Sequence, residues 1–150
     1  LAFAGRDGVL RWTELPTGRV FERPTRRSRR RDLAFVGHRL VAVGDDGRVC
    51  WCDVRDPQGT YREIECERGR IFAMAAIDGG RIAVAGSDNR IRIWNLETSQ
   101  QEAELEGHEG TVSAMCWTGH ALVSAGYDTT IRIWHSGAPV ARQPEMRQRG

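Results

Sequence analysis

The chain has 150 residues, of which 22 are basic and 20 are acidic, so its formal net charge is only +2. This near balance argues against a protein that binds nucleic acid over its whole surface. No apolar run reaches the roughly 20 residues that a membrane-spanning helix needs, and no stretch has the pattern of a signal peptide. We therefore expect no membrane partner.

The first 25 residues predict short strands joined by tight turns. Apolar and polar side chains alternate around Leu10 and Trp12, so residues 1–15 predict two strands, each with one buried face. The segment Leu15-Pro16-Thr17-Gly18 predicts a turn, and residues 19–22 predict an outer strand. Together these elements form a first unit, residues 1–25.

A dense run of arginines comes next. Residues 19–31 hold seven Arg and one Glu, a local charge of +6, so the rest of the chain carries −4. Like charges at this density resist packing. The segment from Arg23 to Arg31 therefore predicts a loop or a disordered insert at the entry to the second unit.

Three further units follow, and each consists of apolar runs separated by turns. They span residues 26–66, 67–106 and 107–150. In the last unit, runs at residues 111–117 and 121–125 precede a polar turn at 126–129, and residues 131–134 alternate with a period of two. Three such strands form an antiparallel meander that needs neighbours to bury its apolar faces. Beyond residue 139 we expect at most one weak strand and a frayed tail.

One turn pattern recurs along the chain at a nearly constant spacing. Four times a Gly precedes an Asp by two residues, and these glycines lie 39, 42 and 40 residues apart: Gly5, Gly44, Gly86 and Gly126. A period near 40 residues, with about four strands in each repeat, is typical of the blades of a β-propeller. The sequence thus predicts an all-β fold, an incomplete β-propeller of four-stranded antiparallel blades.

The last two units resemble the WD-repeat family. The similarity lies in the segment from Ser87 to Thr98, which contains Ile91-Arg92-Ile93-Trp94, and in Leu105-Glu106-Gly107-His108. The Trp-Asp pair that names the family is replaced by Trp94-Asn95 and by Trp134-His135. The resemblance implies a partial propeller of about four blades in which the first is incomplete. Rings of this family hold about six to eight blades, so we expect residues 1–150 to be part of a longer chain or to complete a ring by self-association.

The resemblance also implies a chain of hydrogen bonds within a blade. In the family a His before the first strand, a hydroxyl on the second strand, the turn Asp and a Trp on the third strand are linked in this way. Only the last blade has all four residues, which are His108, Ser124, Asp128 and Trp134. The implied role is structural, so we expect a change of His108 to lower stability and not to abolish a turnover.

Seven arginines are the candidate partner-binding residues. When the blades are aligned, the Arg run lies beside the turns that carry the Asp residues, and in the family this rim is where partners commonly dock. Guanidinium groups bind carboxylates and phosphates through paired hydrogen bonds. We therefore expect an acidic or phosphorylated protein partner to bind at Arg6, Arg26, Arg27, Arg29, Arg30, Arg31 and Arg70.

Two alternatives stay open for these arginines. The run is either an ordinary solvated loop, or it binds nucleic acid or another polyanion through residues 23–31. Against nucleic acid, the run has no interleaved aromatic side chains on which bases could stack.

Nothing in the sequence predicts a reaction site, so we expect a non-catalytic interaction scaffold. The four His are scattered, and Cys50 and Cys52 share a strand face without a second ligand pair at metal-site spacing. Small buried core residues are the better interpretation of these Cys. We expect no metal, no cofactor and a cytoplasmic location with reduced thiols. A role beside a catalytic domain of a longer chain also stays open.

Overall fold

A computed structural model gives the fold and describes residues 1–66 and 69–135. Within these residues the chain forms four antiparallel sheets of three or four strands, and inside each sheet every strand pairs with the strand that follows it in the chain. This confirms the predicted all-β class. Among the described residues there is no helix of the length and apolarity needed to cross a membrane.

The strands follow one another along the chain in four groups. The first sheet contains β1 (Ala2–Ala4), β2 (Val9–Glu14) and β3 (Arg19–Pro24). The second contains β4 (Arg30–Val36), β5 (Arg39–Gly44), β6 (Arg48–Asp53) and β7 (Arg62–Glu65). The third contains β8 (Ile71–Ile77), β9 (Arg81–Gly86), β10 (Ile91–Asn95) and β11 (Gln100–Leu105). The fourth contains β12 (Val112–Trp117), β13 (Ala121–Gly126) and β14 (Ile131–His135).

The recurrent Asp closes the same tight turn in every sheet. Its Oδ1 atom accepts a hydrogen bond from the backbone N–H two residues later, at 3.0–3.3 Å, in Asp7, Asp46, Asp88 and Asp128. The next residue has a positive φ of 62–75°, which favours Gly or Asn; these residues are Gly8, Gly47, Asn89 and Thr129. The sequence period near 40 residues is therefore the spacing between successive turns that are closed by an Asp side chain.

Apolar clusters join each sheet to the next. Leu10 and Trp12 of the first sheet share a cluster with Leu40 and Cys52 of the second. A second cluster joins the second and third sheets, and a third joins the third and fourth sheets. Burying one large apolar side chain contributes about 1.5–3 kcal/mol. The stack of sheets is thus held together mainly by burial between faces.

The prediction of a loop over residues 23–31 is wrong at both ends, because β3 extends to Pro24 and β4 begins at Arg30. Residues 19–24 form β3 and residues 30–36 form β4, so only residues 25–29 connect the first two sheets. The charge argument failed because acidic side chains of the adjacent turn lie next to the run. Asp46 pairs with Arg30, and Asp45 pairs with Arg31.

Parts of two sequence predictions fall on residues that the structure does not describe. The weak strand and frayed tail beyond residue 139 lie there, as does the start of the unit that was expected at residue 67. The described strands of the four units lie within residues 2–24, 30–65, 71–105 and 112–135.

Candidate partner-binding rim

One end of the sheets carries all four Asp-closed turns, and we call it the turn rim. It consists of the turns at residues 5–8, 44–47, 86–89 and 126–129 together with the residues that lead into β4, β8 and β12. In three sheets the backbone N–H of the residue after the turn Gly donates to the carbonyl of the residue before the first strand of that sheet. We call this first strand (β4, β8 or β12) the inner strand. These bonds measure 2.9–3.0 Å and run from Asp45 to Arg29, from Ser87 to Arg70 and from Tyr127 to Thr111.

Four of the seven candidate arginines are exposed on this rim. Arg29 and Arg70 occupy equivalent places on the second and third sheets, and Arg6 lies in the first turn. Arg27 lies against the same turn, because a Cβ added at Gly8 would come within 2.9 Å of its Cα. Within residues 1–66 and 69–135, none of these four guanidinium groups has a carboxylate within ion-pair distance.

Arg31 is held in a fixed position on the rim. Its Nε and Nη2 atoms donate to the two carboxylate oxygens of Asp45 at 2.6 and 3.2 Å. Its guanidinium also lies 5.1 Å from the centre of the Phe72 ring. Hydrogen bonding from Arg31 lowers the pKa of Asp45, with smaller contributions from the charges of Arg70 and Arg29. Asp45 thus stays ionised and neutralises one of the rim arginines.

The structure places Arg30 away from any docking surface, so its assignment as a partner-binding residue is corrected. Its side chain is 1% exposed and Nη1 lies 3.2 Å from both oxygens of Asp46. Its Nη2 donates to the hydroxyl of Thr25 and to the carbonyl of Arg26, each at 3.0 Å. Arg30 points inward because the first residue of an inner strand faces the core, as Val112 does in the fourth sheet. Arg26 itself is exposed and lies 3.5 Å from Glu63.

The fourth sheet contains the hydrogen-bonded series that the resemblance implies. The indole Nε1–H of Trp134 donates to Ser124 Oγ at 2.9 Å. Ser124 Oγ lies 2.8 Å from His108 Nε2, and His108 Nδ1 lies 2.8 Å from Asp128 Oδ2. Because an indole can only donate, the hydroxyl proton of Ser124 is directed at Nε2, and Nδ1–H of a neutral His108 is directed at Asp128.

Asp128 joins this series to the turn. Burial opposes its ionisation, but hydrogen bonds from Thr130, from the backbone N–H of Glu109 and from His108 hold its pKa below the ordinary value of 3.8. A lowered pKa in the folded state contributes stability above pH 3.8, and this contribution is lost as the pH falls through the folded-state pKa. The series therefore stabilises the fold at neutral pH and weakens in acid.

We expect the stability cost of Asp128→Asn to depend on pH. At about pH 7 the variant lacks the ionised carboxylate that the turn stabilises. At about pH 3 the carboxyl of the unfolded wild type is partly protonated, so the wild type gains less stability from its ionised carboxylate. The difference in free energy of unfolding between wild type and variant should therefore shrink in acid, as measured by urea unfolding at both pH values. An equal difference at the two pH values would contradict this role of the charge.

The buried series cannot act as a nucleophilic triad. The side chain of His108 is fully buried, and the Ser124 hydroxyl is already engaged by the Trp134 indole. Burial also raises the pKa of the Cys50 and Cys52 thiols to about 11, so they are protonated at neutral pH. No cluster of three or more His, Cys, Asp or Glu side chains suited to a metal ion occurs among the described residues.

Sequence reasoning missed three residues that shape the rim. Asp45 neutralises Arg31, Phe72 supports its guanidinium, and Tyr127 is exposed at the turn of the fourth sheet. A signal was present for two of them. Asp45 and Tyr127 directly follow the recurrent Gly, so the repeat alignment puts both on the rim.

Comparisons with known proteins agree with this architecture. A model of the WD domain, G-beta repeat, matches residues 58–95 and 99–135, which is half of the chain. Curated relatives include anaphase-promoting complex subunit cdh1 of Dictyostelium discoideum, 32% identical over 66% of this chain and 13% of that protein. Another is a periodic tryptophan protein 2 homolog of Neurospora crassa, 42% identical over 45% of this chain and 8% of its own length. The chain thus spans only a small part of these relatives.

Two solved structures show the same fold. The computationally designed Ika4 protein matches 91% of this chain and 84% of its own, with a TM-score of 0.79 and 22% identity. The designed Ika8 protein matches 91% of this chain and 42% of its own, with a TM-score of 0.78 and 24% identity. The repeated turns, the stacked sheets and the family match lead to one conclusion: this chain belongs to the WD-repeat family, and its fold is an incomplete β-propeller.

Proposed function

We propose that the chain is a non-catalytic interaction scaffold whose turn rim binds an acidic or phosphorylated segment of a protein partner. The observation that carries the proposal is the group of four exposed guanidinium groups without ion pairs in the described residues: Arg6, Arg27, Arg29 and Arg70. WD-repeat proteins generally act as interaction scaffolds, and one relative is named as a subunit of a complex.

The charge of the rim favours an anionic ligand. Hydrogen bonds from Arg31 and, to a smaller extent, the charges of Arg70 and Arg29 lower the pKa of Asp45. A carboxylate or phosphate that approaches Arg29 or Arg70 meets donors that form no ion pair with any carboxylate of residues 1–66 and 69–135. Hydrogen bonds between two charged partners are about twice as strong as neutral ones. An acidic segment would therefore gain more here than a neutral one.

The proposal includes a scaffold role without turnover and a cytoplasmic location. The absence of catalysis is supported by the full burial of the His108 side chain and by the protonated state of the buried Cys50 and Cys52 thiols. The location is supported by Cys50, Cys52 and Cys116, which are free thiols. Any activity of a longer protein that contains these sheets would come from other parts of that protein.

Binding to a defined acidic probe tests the rim. We expect a fluorescein-labelled peptide of alternating Glu and phosphoserine to bind the wild-type chain, as measured by fluorescence anisotropy. Replacing Arg6, Arg27, Arg29 and Arg70 with Ser should weaken binding by roughly tenfold or more, because each charge-assisted hydrogen bond contributes about 1.5–3 kcal/mol. The salt dependence of binding should also become flatter.

A matched variant controls for net charge. Replacing Arg19, Arg55, Arg62 and Arg81 with Ser removes the same number of charges from solvent-accessible positions away from the turn rim. This variant should bind the peptide nearly as well as the wild type. Equal losses in both variants would show a general charge effect and reject the rim. Tighter binding of a single-stranded DNA probe than of the peptide would instead favour the polyanion alternative.

A further inference from the structure

A cleft lies where the connection between β6 and β7 folds against the end of β3. Its walls come from the first two sheets, which pack on each other. Its volume is about 530 Å³, within the range of roughly 300–1,000 Å³ that is typical of ligand pockets. It is open to solvent on one side, and none of its residues belongs to the turn rim. The residues that line it are Arg23, Pro24, Gln58, Gly59, Thr60, Tyr61 and Glu63.

Arg23 supplies the positive charge of this cleft. Its Nη2 atom donates to the carbonyl of Pro57, which holds the guanidinium group against the connection between β6 and β7. Its Nε atom is buried and has no acceptor, and the side chain forms no ion pair with a carboxylate of residues 1–66 and 69–135. A half-buried charge without a counter-ion is costly. An anion that enters the cleft would therefore be bound favourably.

Two acidic side chains beside the cleft limit the charge of its ligand. Glu63 pairs through Oε1 with Arg48 at 3.2 Å and with Arg26 at 3.5 Å. The carboxylate of Asp56 lies next to Gly59, because a Cβ added at Gly59 would overlap its Oδ2 atom. A doubly charged phosphate would meet both carboxylates but only one guanidinium group that lacks a counter-ion. A single carboxylate therefore suits this cleft better than a phosphate does.

The remaining walls suit the last residues of a peptide. The half-buried side chain of Tyr61 and the exposed ring of Pro24 give an apolar surface in the same cleft as Arg23. Gln58 and Thr60 are exposed, and within the described part of the chain their side chains form no hydrogen bond. An amide and a hydroxyl can each donate to and accept from a peptide backbone. The cleft thus offers a cation, an apolar wall and free polar groups together.

We propose that this cleft binds the C-terminal end of a partner peptide, with the terminal carboxylate on Arg23 and an apolar last side chain on Tyr61 and Pro24. Capture of a C-terminal carboxylate is a recurrent mode of peptide recognition. The cleft is larger than a simple organic acid such as acetate, and its open side lets the preceding residues of a chain leave it. The proposal does not rest on the turn rim, because the two sites share no residue.

Fluorescence anisotropy of a rhodamine-labelled peptide that ends in Ser-Ala-Leu tests the role of the carboxylate. The peptide with a free terminal carboxylate should bind the wild-type chain roughly tenfold or more tightly than the same peptide with a terminal amide, because the amide cannot form the charged hydrogen bond. Arg23→Gln should remove this difference. Arg19→Gln is the matched control, since it removes one exposed charge from the same strand, and it should keep the difference. Equal binding of the two peptides to the wild type would overturn the proposal.

A blocking variant tests the place of binding without changing Arg23. Thr60 is exposed, so Thr60→Trp should leave the far-UV circular dichroism unchanged while its bulky side chain fills the cleft and weakens binding. The variant with Ser at Arg6, Arg27, Arg29 and Arg70 should bind this peptide as the wild type does. Unchanged binding by Thr60→Trp, or a loss in the variant of the turn rim, would place the peptide elsewhere and reject the cleft.

Competition with a small acid tests the size of the ligand. N-acetyl-leucine carries the same terminal carboxylate and side chain but lacks the preceding residues. It should displace the labelled peptide much less well than the unlabelled peptide does, because Gln58 and Thr60 can contact only the longer chain. Equal displacement by the two competitors would assign the cleft to a small free acid and overturn the assignment to a peptide.

Discussion

Replacing His108 with Ala is expected to lower the free energy of unfolding by about 2–4 kcal/mol. The imidazole is fully buried and bonds to Ser124 and Asp128 at 2.8 Å each. Its removal leaves the hydroxyl of Ser124 without its acceptor and removes one donor from the buried carboxylate of Asp128. An unsatisfied buried polar group costs about 1–3 kcal/mol, and more when it is charged. The loss in free energy of unfolding should therefore exceed that caused by replacing an ordinary exposed residue.

Urea unfolding followed by circular dichroism measures this effect. Glu109→Ala is the matched control, because Glu109 is the next residue and contacts Asp128 only through its backbone N–H, which Ala retains. The control should stay within about 0.5 kcal/mol of the wild type. If both variants unfold at the same urea concentration as the wild type, the hydrogen-bonded series does not stabilise the fourth sheet.

Replacing Arg30 with Met is expected to cost about 3–5 kcal/mol, because removing one partner of a buried ion pair leaves an uncompensated charge. The Arg30 side chain is 1% exposed, and it satisfies the Asp46 carboxylate, the Thr25 hydroxyl and the Arg26 carbonyl. Met fills a similar volume, so the effect reports mainly the lost charge and hydrogen bonds. The same unfolding measurement applies.

Two further variants separate the ion pair from general effects. Arg29→Met changes the neighbouring exposed arginine and should alter stability by less than about 0.5 kcal/mol. The double variant Arg30→Met with Asp46→Asn should lose less than the sum of the two single changes, since neither partner is then left charged and buried. Strict additivity would show that Arg30 and Asp46 do not depend on each other.

The second and fourth sheets thus anchor the same turn Asp by different means. In the fourth sheet His108, which precedes the inner strand by four residues, reaches Asp128. In the second sheet the corresponding residue is Arg26, and the donor comes instead from Arg30 at the start of the inner strand. The second sheet has Ala42 and Cys52 in place of the hydroxyl and the Trp. A buried Arg therefore takes over the structural role of the His in a sheet that lacks the rest of the series.

Local patterns explain why the fold could be predicted from the sequence. The Asp-closed turn is set by an Asp and by the residue that directly follows it, and both are visible without tertiary information. The role of Arg30 could not be predicted, because it depends on a contact with Asp46, which lies 16 residues away in the turn between β5 and β6. Charge density alone predicted a loop at Arg30 and Arg31. The position of Phe72 beneath Arg31 joins two different sheets and is equally non-local.

The most direct test of the account is a nuclear magnetic resonance titration of the wild-type chain with the Glu and phosphoserine peptide. Side-chain Nε–Hε signals report each arginine separately. We predict shifts for Arg6, Arg27, Arg29 and Arg70, smaller shifts for Arg31, whose donors are held by Asp45, and none for the buried Arg30. Shifts confined to arginines outside the turn rim, such as Arg19 and Arg62, would contradict the proposal that this rim is the binding surface.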